Sequence, residues 1–492
     1  MRSMEVLRRD VQRACAQVEA IADADRARSL ASAEKELWTA LLALGRCALA
    51  LFLARQAARP RSTEYRHDGV EYVVEPRRPA RSAIGTRFGK VPFERPVGRR
   101  ADGQRGPRDL PVDRALGLVG GFSLGTVAAV CRLCAQMAFV PARSTFRSFC
   151  EWSPSQRAVL RMVDAVGGEA RGFLEAAPPP PDDGDILVIQ VDGRGAPMID
   201  AAEYERRRQP RQDDGETARE RRRRRRRGRI RPRRKKGEKR KNAKVAFVGV
   251  IYTLRTTEDG REGPIGKRLY ATFESHAALF AWLDVEAKKR GYGQKRTLFL
   301  ADGADIIWDL QARHFPDAEP CLDWYHVVEK LWDVGRCLHA EGSPELTAWV
   351  AARTRELRRR GGAGHVLTAL AEAQKSVPKT GPGTKAKREK IQEVSEHLAK
   401  NQRRMNYHQL RRDDLDIGSG AVEGAVRNLV GMRLDGPGMR WSRDRSEHVL
   451  HLRCILLNGQ WDEFVEYLAK RPLRLAAVPT PTRTHDATRK AA

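Results

Sequence analysis

Three carboxylates in this sequence stand where they could hold hard cations. Ile186-Leu-Val-Ile-Gln-Val191 is a nearly continuous apolar run that leads into Asp192-Gly193, and Thr297-Leu-Phe-Leu-Ala301 leads in the same way into Asp302-Gly303. Runs of this kind predict strands buried on both faces, each ending in an acid. Two neighbouring strands can then present a pair of carboxylates at one edge of a sheet. A third acid, Glu423, lies in Gly418-Ser-Gly-Ala-Val-Glu-Gly424, at the opening of a helix with an apolar face of Val422, Val426, Leu429 and Val430. Ser419 could cap that helix, which would put Glu423 in its first turns, where the dipole favours an anion. Carboxylate oxygens suit Mg²⁺ or Mn²⁺. Two such ions roughly 3.5–4 Å apart can activate an attacking oxygen, stabilise a leaving 3′ oxygen and offset charge at phosphorus. The chemistry on offer is phosphodiester exchange.

Those acids need a sheet to carry them. Val245–Leu254 and Lys267–Phe273 read as two further strands, joined by a charged turn at 256–263. An amphipathic helix from Ser275 to about Arg290 follows, with Leu279, Phe280, Leu283 and Ala287 on one face, and Thr297–Ala301 is the fourth strand. The order is strand–strand–strand–helix–strand. From Ala304 to about Asp414 the chain reads as helical and polar, too long for a loop in a compact domain, so an inserted helical subdomain is predicted. A final helical section runs from Gly418 to about Leu468.

Upstream, residues 4–58 read as helical, with Leu37, Trp38, Leu41, Leu42 and Leu51 as the apolar face. Residues 59–113, rich in Arg, Pro and Gly, predict an extended connector with one short strand at Glu71–Val74. Helices return from Ser123 to about Val166, broken at Val140-Pro141 and restarted at Ser153-Pro154, with Ser as N-cap and Pro in the first turn. They are either a helix-turn-helix DNA reader or a plain bundle. Pro178–Pro181 marks a boundary.

Composition narrows the partners. Lys+Arg total 92 and Asp+Glu 63 in 492 residues, a net charge of +29. That field attracts polyanions and fits simple metabolic enzymes poorly. The segment Tyr204–Lys244 alone holds 22 basic and 6 acidic residues, 22 − 6 = +16, including Arg221, Arg222, Arg223, Arg224, Arg225, Arg226 and Arg227 in succession. Lacking apolar side chains and repelling itself, it is predicted to be a disordered arm, either one that orders on phosphates or a solvated insertion with no specific partner. Such contacts carry no base information. The longest apolar stretch, Ala40–Ala54, is interrupted by Arg46 and is shorter than the roughly 20 residues of a membrane span. No signal-peptide pattern opens the chain, so no membrane partner is expected. Of the eight cysteines only Cys131-x-x-Cys134 has ligand-like spacing, and nothing nearby completes a zinc site. Buried thiols of a reducing cytoplasm are the expectation.

Taken together, Val191-Asp-Gly193, Ala301-Asp-Gly-Ala304, Leu322-Asp-Trp-Tyr-His326, Ile417-Gly-Ser-Gly-Ala-Val-Glu-Gly-Ala425, Gly438-Met-Arg-Trp-Ser442, Leu452-Arg453 and Leu457-Asn-Gly-Gln-Trp-Asp462 resemble the ISKra-type insertion-sequence DDE transposases, relatives of the Mutator-like group. The resemblance covers about 110–470. It implies an α/β fold: an RNase H-like mixed sheet with an inserted all-helical subdomain, plus an N-terminal helical region. The implied organisation is 1–58 helical, 59–113 connector, 114–177 helical, 184–303 first part of the catalytic domain with the insertion 204–244, 304–415 helical insertion, 416–470 the part carrying the glutamate, and 471–492 a disordered tail. It also implies Asp192, Asp302 and Glu423 as ligands of two Mg²⁺ or Mn²⁺ ions. Asp323 and His326 match a signature between the second and third acids. His326 could orient a phosphate or water, Asp323 could itself be the second acid, or the two form a satisfied polar pair. Asp305, Asp309 and Asp416 carry no motif and are expected at the surface. Arg440 and Trp441 join a cation to a stacking surface suited to a distorted base, although a helical Trp is often core. The implied activity is hydrolysis at transposon ends and strand transfer into target DNA, in the cytoplasm at the nucleoid. Its partners would be double-stranded DNA, as terminal inverted repeats and target, and further copies of the chain assembled on DNA. A nuclease of the same fold without strand transfer, or a non-catalytic nucleic-acid-binding protein, are the alternatives.

Overall fold

The structure, a computed structural model, describes residues 3–23, 29–104, 106, 109–199, 220 and 243–475. Arg221 to Arg227, nearly all of the insertion 204–244, and 476–492 of the tail lie outside the described residues. The chain divides into two compact units, 1–170 with 460–492, and 171–459.

In the first unit, helices α1 (Met4–Ala22) and α2 (Leu30–Ala57) precede a three-stranded antiparallel sheet, β1 (Glu64–His67), β2 (Val70–Thr86) and β3 (Gly89–Arg100). The connector expected over 59–113 is therefore corrected to a sheet. Val91, Phe93, Arg95 and Val97 alternate inward, but a charged residue at an inward position and the prolines at 92 and 96 hide the period in the sequence. Buried Arg95 is neutralised by Asp113 at 2.7 Å. Leu53 of α2 packs with Ile84, Val91, Phe93 and Val112. Because α2 is apolar nearly all round, its sequence does not select the buried face. Ala40, Leu42, Leu53 and Ala54 are buried, whereas Leu37, Trp38 and Leu41 are exposed. By length and composition α2 could cross a membrane, longer than the Ala40–Ala54 run suggests.

Helices α3 (Pro111–Ala115), α4 (Leu124–Gln136), α5 (Phe139–Cys150) and α6 (Gln156–Ala176) follow. The break falls at Met137-Ala138, and Pro141 sits inside the first turn of α5, where its missing N–H costs nothing. The restart is capped by Ser155, whose Oγ accepts from Ala158 N at 3.2 Å, and not by Ser153. The two-residue link between α4 and α5 is shorter than the roughly three to four of a helix-turn-helix turn. Cys131, Cys134, Cys321 and Cys454 are buried thiols, but Cys15 is exposed.

The second unit is built on a five-stranded sheet: β4 (Ile186–Pro197), β5 (Ala243–Thr257), β6 (Gly260–Thr272), β7 (Arg296–Ala301) and β8 (Glu319–Leu322), in the order β6-β5-β4-β7-β8. The first three strands are antiparallel, and β7 and β8 run parallel to β4. This is an RNase H-like mixed sheet, with β4 at its centre. Helix α7 (His276–Lys289), capped by Ser275, buries Leu279, Phe280, Leu283 and Ala287. It lies close on β5 at Gly249, where a Cβ would come within 2.9 Å of Leu279.

β8 carries no signal of its own in the sequence. Four residues are too few to show a period, and Pro320 argues against a strand unless it lies at an edge, as it does here. Helical structure after Ala304 is thus interrupted: α8 (Asp305–His314) leads into β8. Then come α9 (Trp324–Leu338), α10 (Pro344–Leu357), α11 (Gly362–Ser376), α12 (Thr384–Lys400) and α13 (Tyr407–Arg412). The chain returns to the sheet through α14 (Gly420–Val426), a π-helical turn at Arg427–Gly431, α15 (Met432–Leu434) and α16 (Arg443–Leu457). Val422, Val426, Leu429 and Val430 are buried there.

Candidate active site

The parallel ladder between β4 and β7 ends at Val191↔Ala301. Asp192 and Asp302 are the next residues on each strand, so they emerge side by side, with backbones about 4.8 Å apart. The expectation that β4 stops at Asp192 is corrected. β4 continues against β5 as far as Pro197↔Ala243, and Asp192 stands opposite Val248. Only the β7 side of the ladder stops, so the acid sits where the sheet forks. Asp192 Oδ1 accepts from Gly193 N at 2.6 Å, and Asp302 Oδ1 from Ala304 N at 3.2 Å.

Gln190 shares a face with Asp192, two residues away on a pleated strand. Its Oε1 accepts from Val422 N at 3.0 Å, in the first turn of α14. Ser419 occupies the N-cap position but makes no side-chain cap, so the expected cap is corrected: a buried amide from the central strand replaces it. Gln190 Nε2 donates to Tyr252 Oη at 3.1 Å, and Tyr252 donates to Asp416 at 3.0 Å. Glu423 follows Val422. Among the described residues its exposed carboxylate makes no hydrogen bond or ion pair. A Cβ on Gly420 or Gly424 would meet nothing within 4 Å, so the approach to Glu423 is open.

Buried Asp323 caps α9 by accepting from Tyr325 N and His326 N, and its Oδ1 also accepts from Ser419 N at 2.8 Å. Trp324 N donates to Ile417 O at 3.0 Å. The loop before α14 is thus clasped to the start of α9. His326 lies 5.7 Å from His397 of α12 between ring centroids. His397 packs directly on Gly303, where a Cβ would come 2.0 Å from its Cε1, and its Nε2 is buried without a hydrogen-bond partner. On the other side, His276 at the start of α7 lies tilted against Phe247, with ring centroids 3.8 Å apart. Burial holds His276 and His397 below the ordinary imidazole range, and the charge of Asp302 opposes the shift in both. Neither histidine carries a sequence signal; each reaches Asp302 only through packing.

The electrostatics converge on Asp192. Burial pushes its pKa up to about 6, and the charges of Asp302, Asp323 and Glu423 push in the same direction, against the Gly193 N–H. Excess negative charge on hard oxygens fits a divalent cation. Among the described residues no three ligating side chains are already gathered around one point, so the carboxylates share a field and not a finished cage. In metal-free protein the folded state keeps a proton on Asp192 between about pH 4 and 6 that the unfolded chain has released. This contribution to stability is full below pH 4 and is lost as the pH rises through about 6. Asp192→Asn should remove about 1–2 kcal/mol of that pH dependence, after discounting for partial exposure. Urea unfolding of both proteins from pH 4 to 7 measures it; parallel profiles would contradict the shared field.

Gly303 offers a second check. An added methyl meets His397, so Gly303→Ala should cost about 1–3 kcal/mol by overpacking. His397→Ala in the same chain should recover most of the loss. Additive losses in denaturant titrations would mean that the contact is not the cause.

The three acids expected at the surface are exposed, and Trp441 is not. Asp305 is exposed and pairs with Lys400 at 2.7 Å; Asp309 and Asp416 are also exposed. Trp441 is not a stacking surface. It is buried, its Nε1 donates to Leu434 O at 2.9 Å, its ring lies 4.8 Å from the Arg433 guanidinium, and Trp441 N and O bond Pro197 and Ile199 at the end of β4. Arg440 is exposed beside it.

No protein-family profile matches the chain, and no curated protein matches it. Among solved structures the chain is similar to the Drosophila P element transposase strand transfer complex, at 8% identity and a TM-score of 0.31, over 73% of this chain and 95% of that one. That likeness is too remote to assign a family.

Proposed function

We propose that this chain is a DNA transposase of an insertion sequence, acting on phosphodiesters at the Asp192, Asp302 and Glu423 cluster. The observation that carries the reading is the register of β4 and β7, which sets Asp192 beside Asp302 while the charge of Glu423 reaches Asp192. Two Mg²⁺ or Mn²⁺ ions held by these three would supply charge neutralisation at phosphorus and activation of the attacking oxygen. The chain's own part is to hold the carboxylates in place. Gln190 fixes the first turn of α14, and Asp323 fixes the loop before it. A water oxygen attacks phosphorus at the element's end, the bond to the 3′ oxygen breaks, and that oxygen takes a proton. The freed 3′-OH then attacks a target phosphodiester, forming one P–O bond as another breaks. Basic segments would hold the DNA backbone, and two ends acting together call for several copies of the chain on DNA.

The test is a strand-transfer assay with pre-cut ends bearing the inverted repeats that flank the gene, in Mg²⁺ or Mn²⁺. Joined product is the expected result. Cleavage without joining would make the chain a nuclease, and neither activity would leave a DNA-binding protein.

A further inference from the structure

We propose that Tyr325 is a platform on which a DNA base, unstacked beside the carboxylates, comes to rest. The inference rests on the reading above that DNA enters this site. Tyr325 is 60% exposed, unusual for an aromatic side chain tied into a packed helix start. Its ring lies on the backbone of Gly418, where a Cβ would come within 2.6 Å of Cε2, so any larger residue at 418 would displace it. The ring is therefore held in place while much of its surface faces solvent.

It borders a pocket of about 410 Å³ that reaches Gly420 and Ala421, in the first turn of the Glu423 helix, and Arg411 of α13. Two acids also line it, but both are engaged: Asp414 accepts from Arg261 N at 3.1 Å and Asp416 from Tyr252 Oη at 3.0 Å. Among the described residues the Arg411 guanidinium makes no hydrogen bond or ion pair. A ring for the base and an unengaged cation for the adjoining phosphate complement a single DNA strand. The platform is also tied to the cluster: Asp323 Oδ1 accepts from both Tyr325 N and Ser419 N, and the charge of Asp323 reaches Asp192. A base pulled from a duplex end loses its stacking, and an aromatic face returns part of that cost.

The experiment uses the full chain in Ca²⁺ and a DNA hairpin with a frayed end carrying 5-iododeoxyuridine at successive positions. Irradiation should crosslink the peptide containing Tyr325. Tyr325→Ala should abolish that crosslink and weaken binding about tenfold, while Tyr325→Phe keeps both. Because Tyr325 is exposed, unfolding is not the expected cause, and thermal melts of all three proteins check this. Crosslinks that map elsewhere, or an Ala variant that binds and crosslinks like wild type, overturn the platform and leave the cleavage reading standing. Wild type that binds no DNA overturns both.

Discussion

Glu423→Gln should lower metal-dependent DNA cleavage by about 10³-fold or more while leaving the fold intact. The magnitude follows from the chemistry: a cation's charge stabilisation at phosphorus is worth several kcal/mol, and about 4 kcal/mol is about 10³ in rate. The fold should survive because the Glu423 carboxylate is exposed and bonds to nothing among the described residues. Removing its charge also relieves Asp192, whose protonation it favours. Thermal stability of the metal-free variant should therefore match or exceed that of wild type. Asp192→Asn and Asp302→Asn should lose activity to a similar degree. Cleavage rates on a labelled duplex, beside melting curves, separate the cases. A Gln variant that cuts at the wild-type rate would end the assignment of the third acid.

Asp323→Ala should be the most destabilising single change near the site, by about 2–4 kcal/mol. It removes the N-cap of α9 and leaves the part-buried Ser419 N–H without its acceptor. Losing the clasp also frees the loop that leads to Glu423, so activity should fall with stability. Asp323→Asn separates two roles. Asn keeps an oxygen that can accept from Tyr325 N and Ser419 N and gives up only the His326 N bond made by Oδ2, so if Asp323 only holds the loop, cleavage should stay within about tenfold of wild type. Were it the second metal-binding acid, the Asn variant would fall as far as Asp302→Asn. Single-turnover rates on both variants decide this, with urea titrations reporting the clasp.

Much of the site's supply was legible along the chain. The apolar runs before Asp192 and Asp302 report strands buried on both faces, since only such strands lack polar alternation. The spacing Val422, Val426, Leu429, Val430 reports one buried helix face. Short or camouflaged elements were not legible. β8 is four residues with a proline, and the strands between 64 and 100 are punctuated by prolines and turn Arg95 inward. By residue type Trp441 suits a stacking surface or the core, and its neighbours in space make it core.

Local sequence determined which acids exist and which strand or helix each belongs to, because periodicity and apolar runs are properties of neighbours along the chain. Tertiary structure decided that Asp192 and Asp302 share a register, that Gln190 and not Ser419 holds the Glu423 helix, and that His276 and His397 come within the field of Asp302. Each of those joins residues dozens to hundreds of positions apart. Hydrogen-bond register and side-chain packing across such separations are set by how whole elements dock, and no local pattern encodes that.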